Sequence, residues 1–150
     1  MSEDSKAGFV SELGQYSKDE ELQEAKRQLN EFARKFPFRT NPQSIEDLSA
    51  SDVYEKGSRD SFFYWVQYGT SAVANIMVYG GANIFENVKG NLSAFKILLK
   101  TASDDSLSLH DKIDAPWDTF RGFGTDRHIA KKIVALLYPD SVLPIFSTKH

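Results

Sequence analysis

The amino-acid sequence predicts a compact, mainly α-helical domain, and three observations support this prediction. Apolar residues recur at helical spacing within residues 22–36 and again within residues 92–99. A third apolar stretch, at residues 133–137, follows a glycine turn and a polar helix start. At 150 residues, with 41% hydrophobic and 26% charged residues, the chain has the size and composition of one globular domain. We expect residues 1–16 to form a flexible leader and residues 17–150 to form the domain, as a fragment of a longer protein.

The first helix is predicted from Ser17 to about Phe36. Ser17 and Glu20 have the spacing of a capping box, in which a hydroxyl and a carboxylate satisfy opposite backbone N–H groups. Pro37 ends this helix because proline disfavours a helical conformation at the residue before it. The apolar face of the helix consists of Leu22, Ala25, Leu29, Phe32 and Phe36.

Shorter elements are predicted in the middle of the chain. Asn41 and Ser51 are expected to cap two short helices. Residues 60–68 are apolar on nearly every side, which favours a buried helix ending near Gly69 over a strand. Residues 76–85 have two short apolar runs around a Gly-Gly turn, the pattern of one small β-hairpin.

The last third of the chain predicts three further helices. Asn91 caps the first of them, and Asp104-Asp105-Ser106 marks a break after it. The second is short and closes at Gly122. Thr125 is expected to cap the third, which stops at Pro139.

The charge of the chain is unevenly distributed around a formal net value of −3. Residues 1–60 carry nine basic and thirteen acidic side chains, whereas residues 89–150 carry nine basic and seven acidic ones. Domains that bind polyanions without selectivity are usually strongly basic. Any nucleic-acid site is therefore expected to be local and to lie in the last third.

Several kinds of site are excluded by composition. The chain has no cysteine and its three histidines lack ligand spacing, so no disulfide, metal or other cofactor is expected. No apolar run reaches the roughly 18 residues that span a bilayer, and the N-terminus lacks a signal-peptide pattern. The phosphate-binding loop of nucleotide hydrolases is missing as well. We therefore expect a cytoplasmic chain without a membrane partner that is not itself an enzyme.

The strongest functional indication is the glycine turn before the last predicted helix. Glycines at a helix N-terminus can present backbone N–H groups to a phosphate without an intervening side chain. This Gly-Phe-Gly turn resembles the helix-hairpin-helix motif of DNA repair proteins, although His128 stands where that motif has a small residue. The alternative is a capped helix with a solvated basic face. The predicted DNA phosphate contacts are Arg121, Gly122, Gly124, Thr125, Arg127, Lys131 and Lys132.

A second indication is the aromatic stretch at residues 63–68. Aromatic rings can stack on an extruded or single-stranded base, and an amide side chain can pair with the edge of that base. The same residues would equally serve as ordinary core, with protein partners for the amide. The candidate base contacts are Tyr64, Trp65, Gln67 and Tyr68.

Two segments of the chain have patterns that occur together in one family. Residues 63–70 and a downstream Gly-Gly are similar to a Tyr-Trp-Leu-Glu…Gly-Gly pattern, with Gln67 in place of the glutamate. Residues 120–146 are similar to a Gly-Phe-Gly…Tyr-Pro-Asp…Pro-Ile pattern, with two extra residues after Gly124. Both resemble McrB-like AAA+ ATPases, the GTP-driven subunits of modification-dependent restriction systems. The resemblance implies an N-terminal specificity domain that recognises DNA, often at a modified base, for an AAA+ motor region and a partner nuclease.

Two other functions remain open at this point. In a protein-interaction or oligomerisation domain, the acidic first half and the amphipathic helix of residues 18–36 would contact a partner. In a glycosylase relative, residues 143–150 would match the segment that carries a catalytic aspartate. Ser147 stands at the position of that aspartate and cannot supply an ionised carboxylate, so the glycosylase is the less favoured of the two.

Overall fold

A computed structural model describes the backbone of residues 3–74, 81–120, 123 and 127–142, and their side chains except those of residues 3–18, 81, 82 and 142. Within these ranges the chain forms helices and turns and no strand, which confirms the prediction of a mainly α domain. The elements in chain order are α1 (Glu3–Lys35), α2 (Gln43–Glu46), α3 (Ala50–Val53), α4 (Phe62–Tyr64) with a π-helical turn (Trp65–Gly69), α5 (Gly81–Lys89), α6 (Leu92–Ala102), α7 (Leu109–Ile113), a 3-10 turn (Trp117–Thr119), α8 (His128–Leu137) and α9 (Pro139–Val142).

Helix α1 is longer than the sequence predicts. It begins at Glu3, so residues 3–16, which we expected as a leader, are helical, and the start at Ser17 was wrong. A capping box favours a helix start but does not stop a helix from running through it, and no proline precedes Ser17. The predicted end is confirmed, because the helix stops at Lys35, two residues before Pro37.

Two adjacent rings, Phe62 and Phe63, connect the halves of the core. Both are fully buried. Phe62 packs against three phenylalanines from the end of α1 and the residues after it, at ring-centroid distances of 5.2 to 6.0 Å. Phe63 stacks on Phe85 of α5 at 4.2 Å and lies 5.3 Å from Phe95 of α6. The α1 half and the α5–α6 half are therefore joined through consecutive residues of α4.

Helix α8 crosses the interior of the domain. Its residues from Ile129 to Leu137 are buried, with the single exception of Lys131. It contacts α1, α6, α7, α9 and the π-helical turn. A helix that is covered on nearly every side belongs to the core, so most side chains of α8 cannot reach solvent.

The helix favoured for residues 60–68 is confirmed, but its second half winds as a π-helix. The hydroxyl of Thr70 donates hydrogen bonds to the carbonyl oxygens of Trp65 and Val66, at 2.6 and 3.2 Å, and so closes this wider turn. The indole of Trp65 fills the space beside Gly69, where a β-carbon would lie 2.4 Å from the ring. Isolated π-helical turns occur frequently at functional sites.

The predicted β-hairpin is wrong in its second arm. Residues 82–85 belong to α5, whose Phe85 and Val88 are both buried and lie three positions apart, as the core face of a helix requires. A run of four residues was too short to distinguish strand from helix. The first arm, residues 76–79, lies outside the described residues.

Two predicted helix caps are also displaced. Ser49 caps α3 in place of Ser51, because its hydroxyl accepts from the Asp52 N–H at 3.1 Å while the Asp52 carboxylate accepts from the Ser49 N–H at 2.9 Å. Arg127 precedes α8 with a positive φ of 55°, two residues after the expected cap at Thr125. Thr125 itself lies outside the described residues.

Replacing Gly69 by alanine should destabilise the domain by about 1–3 kcal/mol, because the new methyl group overlaps the Trp65 ring. Gly90 is the matched control, since a β-carbon there lies 3.4 Å from its nearest neighbour, the Asn87 carbonyl oxygen. We expect Gly90→Ala to change stability by no more than about 0.5 kcal/mol. Urea denaturation of both variants measures the difference, and equal effects would contradict the packing described for Trp65.

Candidate functional site

A cavity of about 380 Å³ opens between the loop after α3 and the helical stretch formed by α4 and the π-helical turn. The position of the cavity depends on Phe62 and Phe63 in α4, because their burial fixes one face of that helical stretch against the core. The opposite face and the loop then form the walls. Tyr54 enters from the loop and Phe85 enters from α5.

Aromatic rings form the walls of this cavity. Phe63 and Phe85 stack with an interplanar angle of 12°, and Tyr54 lies 5.3 Å from Phe85. On the helical side, Tyr64 and Tyr68 are 5.6 Å apart. Tyr68 is 60% exposed, which is unusual for a ring of this size. Phe63 and Phe85 are buried beneath this surface, whereas Tyr54 and Tyr64 are half-buried and Tyr68 is exposed. The tyrosine rings can thus present flat apolar surface to a planar ligand.

Several polar side chains that line the cavity have no partner in the described part of the chain. Glu55 and Arg59 are exposed and Gln67 is half-buried, and none of these side chains makes a hydrogen bond or ion pair there. The Ser61 hydroxyl is buried and also lacks a partner there. A buried polar group normally finds a partner within the fold, whereas an exposed one is solvated. These donors and acceptors are therefore available to a ligand that supplies partners for them.

The four predicted base contacts divide into two groups. Tyr64, Gln67 and Tyr68 line the cavity together, because helical spacing of three to four residues puts them on one face. Trp65 does not line the cavity. Its half-buried indole lies on another side of the helix, with the Lys35 ammonium 5.5 Å from the ring centroid.

Only three of the predicted phosphate contacts, Arg127, Lys131 and Lys132, lie within the described residues. Arg127 donates to the carbonyl oxygens of Ile113 and Ala115, at 3.0 and 2.6 Å, and so ties the start of α8 to the end of α7. Lys131 is exposed on α8. Outside the described residues lie four predicted contacts at the glycine turn, Arg121, Gly122, Gly124 and Thr125. Ser147, which stands at the glycosylase aspartate position, lies outside them as well.

Lys132 was wrongly assigned to the phosphate-contacting surface. Its side chain is only 4% exposed, and its ammonium donates to the carbonyl oxygens of Thr70 and Ala74. The Gln28 amide oxygen holds the same turn from α1 by accepting from the Ala72 N–H at 2.9 Å. Burial lowers the pKa of the Lys132 ammonium to about 8. The lysine anchors the turn that follows the π-helical stretch instead of contacting solvent.

A cluster of charged and polar side chains surrounds the ring of Tyr138. The Tyr138 hydroxyl donates to the Asp105 carboxylate at 2.6 Å, and Arg39 bonds the same carboxylate while lying over the Tyr138 ring. The Lys112 ammonium lies 3.5 Å from the centroid of that ring. Burial and the bond to Asp105 raise the pKa of Tyr138 to about 12. The hydroxyl, the carboxylate and the guanidinium are thus bonded to one another, and the cluster joins Lys112 of α7 to Tyr138 at the end of α8.

Most residues of the cavity were not found from the sequence, among them Glu55, Arg59 and Ser61. Glu55 and Arg59 belong to a loop without periodicity, and only folding brings that loop against the aromatic stretch. Ser61 directly precedes an apolar helix, so sequence reasoning would at most have assigned it a capping role. Nothing in the sequence shows that its hydroxyl is left without a partner.

Comparisons with protein families, curated proteins and solved structures find no match for this chain. Among the described residues, no group of three or more histidine, aspartate or glutamate side chains could hold a metal ion. No helix in the same part of the chain is both long and apolar enough to cross a membrane.

The buried lysine predicts a specific pH dependence of stability. Between pH 8 and 10.5 the unfolded chain binds more protons at Lys132 than the folded chain, so its contribution to the free energy of unfolding rises with pH. The slope is at most about 1.4 kcal/mol per pH unit, and the contribution is lost as the pH falls through 8. Urea denaturation at several pH values measures this slope.

Substitutions at two neighbouring lysines test whether Lys132 causes this slope. Lys132→Met should lose the rise between pH 8 and 10.5, whereas Lys131→Met, on the exposed side of α8, should keep it. Parallel curves for wild type and Lys132→Met would show that the ammonium is not buried as described.

Proposed function

We propose that this domain is a DNA-binding specificity module that takes an unstacked base into the aromatic cavity. One observation carries the proposal: the cavity has aromatic walls and a set of polar side chains without partners in the described part of the chain. A nucleobase is a flat ring with hydrogen-bonding groups along its edge. Aromatic walls can stack on this ring, and polar side chains without partners can bond to its edge.

The size and energetics of the cavity support this ligand. Small-ligand sites usually enclose about 300–1,000 Å³, and the cavity of about 380 Å³ lies in that range. Stacking on an aromatic side chain stabilises a bound base by about 1–3 kcal/mol, enough to offset much of the cost of unstacking it from its neighbours. Tyr64 and Tyr68 are the rings positioned to stack, and Gln67 between them has a free amide for the base edge.

Arg59 is the cation best placed for the adjoining phosphate. It is exposed, it lines the cavity, and no carboxylate pairs with it among the described residues. Lys131, which is exposed on α8, offers a second cation. The chain as a whole has a net charge of −3, so only a few phosphates would be contacted and the salt dependence of binding should be shallow.

The resemblance to McrB-like proteins suggests the setting for this module. It would act in the cytoplasm within a modification-dependent restriction system and would recognise a modified base. The AAA+ motor region and the partner nuclease would supply movement and cleavage, and this chain would itself be no enzyme. Unstacking a base is a direct way to inspect a modification on its edge.

Binding to a panel of DNA probes tests the function itself. Fluorescence anisotropy would compare duplexes carrying cytosine, 5-methylcytosine, 5-hydroxymethylcytosine or N6-methyladenine with a single strand. We expect preferential binding to one modified duplex or to the single strand. Absence of binding at low salt, together with a mass that rises with protein concentration, would instead indicate an oligomerisation domain.

Arg59→Ala should reduce the slope of log affinity against log salt concentration by about one, because one phosphate contact is lost. Arg34→Ala is the control, since Arg34 is also exposed but lies on α1, paired with Glu31 and away from the cavity. Titrations at two or more salt concentrations measure the slopes. An unchanged slope for Arg59→Ala would remove this residue from the interface.

A further inference from the structure

Ser61 occupies a helix-capping position without acting as a cap. Its backbone has the extended conformation of an N-cap residue before α4, yet its hydroxyl accepts no hydrogen bond from the helix. Ser49 and Ser108, in the same position before α3 and α7, both accept a bond from an N–H three residues on, each at 3.1 Å. The hydroxyl of Ser61 is therefore not committed to the helix it precedes.

The surroundings of Ser61 make this unusual. The residue is 1% exposed, and its hydroxyl lacks a partner within the described part of the chain. An unpaired polar group is unfavourable in the interior, and its presence in a native fold calls for a reason such as a missing ligand. Ser61 lines the aromatic cavity, next to Phe63 and Tyr64. Rotation about the Cα–Cβ bond can redirect a serine hydroxyl without moving the backbone.

We infer that the Ser61 hydroxyl is the specificity-determining contact of this cavity, and that it acquires its hydrogen-bond partner only when the polar edge of a nucleobase enters. This inference rests on the proposed function and identifies which group recognises the base. A hydroxyl can donate or accept, and the Gln67 amide can do both. Together the two side chains can satisfy adjacent polar atoms of a base edge, which an apolar ring of equal size lacks. A ligand that lacks such a polar atom is rejected, because it leaves the site with an unpaired buried group.

Ser61→Ala separates this role from a structural one through two readouts. In the free protein, alanine removes an unsatisfied hydroxyl, so the melting temperature should stay the same or rise. Binding to a single-stranded oligonucleotide of the preferred base should weaken about tenfold, which corresponds to about 1.4 kcal/mol. Binding to the same oligonucleotide with an abasic site at its centre should not change. Ser108→Ala, which removes a working cap, should instead lower the melting temperature by about 2–4 °C.

The possible results are distinct. A fall in melting temperature for Ser61→Ala that matches the fall for Ser108→Ala would overturn the inference, because Ser61 would then be a structural cap. Retention of the wild-type base preference by Ser61→Ala, while Tyr64→Ala weakens binding, would overturn the inference and leave the proposed cavity intact. If the wild-type protein binds no oligonucleotide, or if Tyr64→Ala binds as well as wild type, the proposed function fails and this inference fails with it.

Discussion

The structure depends on the burial of one face of a short helical stretch, α4 and the π-helical turn that follows it. Consecutive phenylalanines, Phe62 and Phe63, insert into the two halves of the core and fix the orientation of that stretch. Because a helix carries side chains on all sides, fixing one face also fixes the direction of Tyr64, Gln67 and Tyr68. The cavity walls are therefore as rigid as the core behind them, which is the arrangement that a selective binding site needs.

A buried ammonium group stabilises the turn that follows this helical stretch. In the turn that follows the π-helical stretch, the ammonium of Lys132 donates to the carbonyl oxygens of Thr70 and Ala74. The Gln28 amide oxygen holds the same turn from α1. Basic side chains near the start of α8 thus stabilise the fold, whereas Arg59 beside the cavity and Lys131 on α8 are exposed and make no ion pair among the described residues.

The sequence was sufficient for the helical class and for three of the cavity residues, because both follow from local periodicity. Tyr64, Gln67 and Tyr68 share a face at helical spacing, and this could be inferred without coordinates. The burial of Lys132 could not, since a basic residue beside an apolar helix is normally solvated and only tertiary packing reverses that expectation. Ser61 and the loop residues were missed for a related reason: an absent hydrogen bond is a property of the assembled fold. The second arm of the hairpin was wrong because a run of only four residues fits a strand and a helix equally well.

Entry of a base into the cavity is tested most directly by following backbone amide signals in nuclear magnetic resonance spectra while a short single-stranded oligonucleotide is added. Base entry into the cavity should shift the amides of residues 54–68 and of Phe85 most strongly, with smaller changes near the exposed Lys131. Shifts confined to the exposed side of α8, with residues 54–68 unchanged at saturation, would show that DNA binds elsewhere and would contradict the role assigned to the cavity.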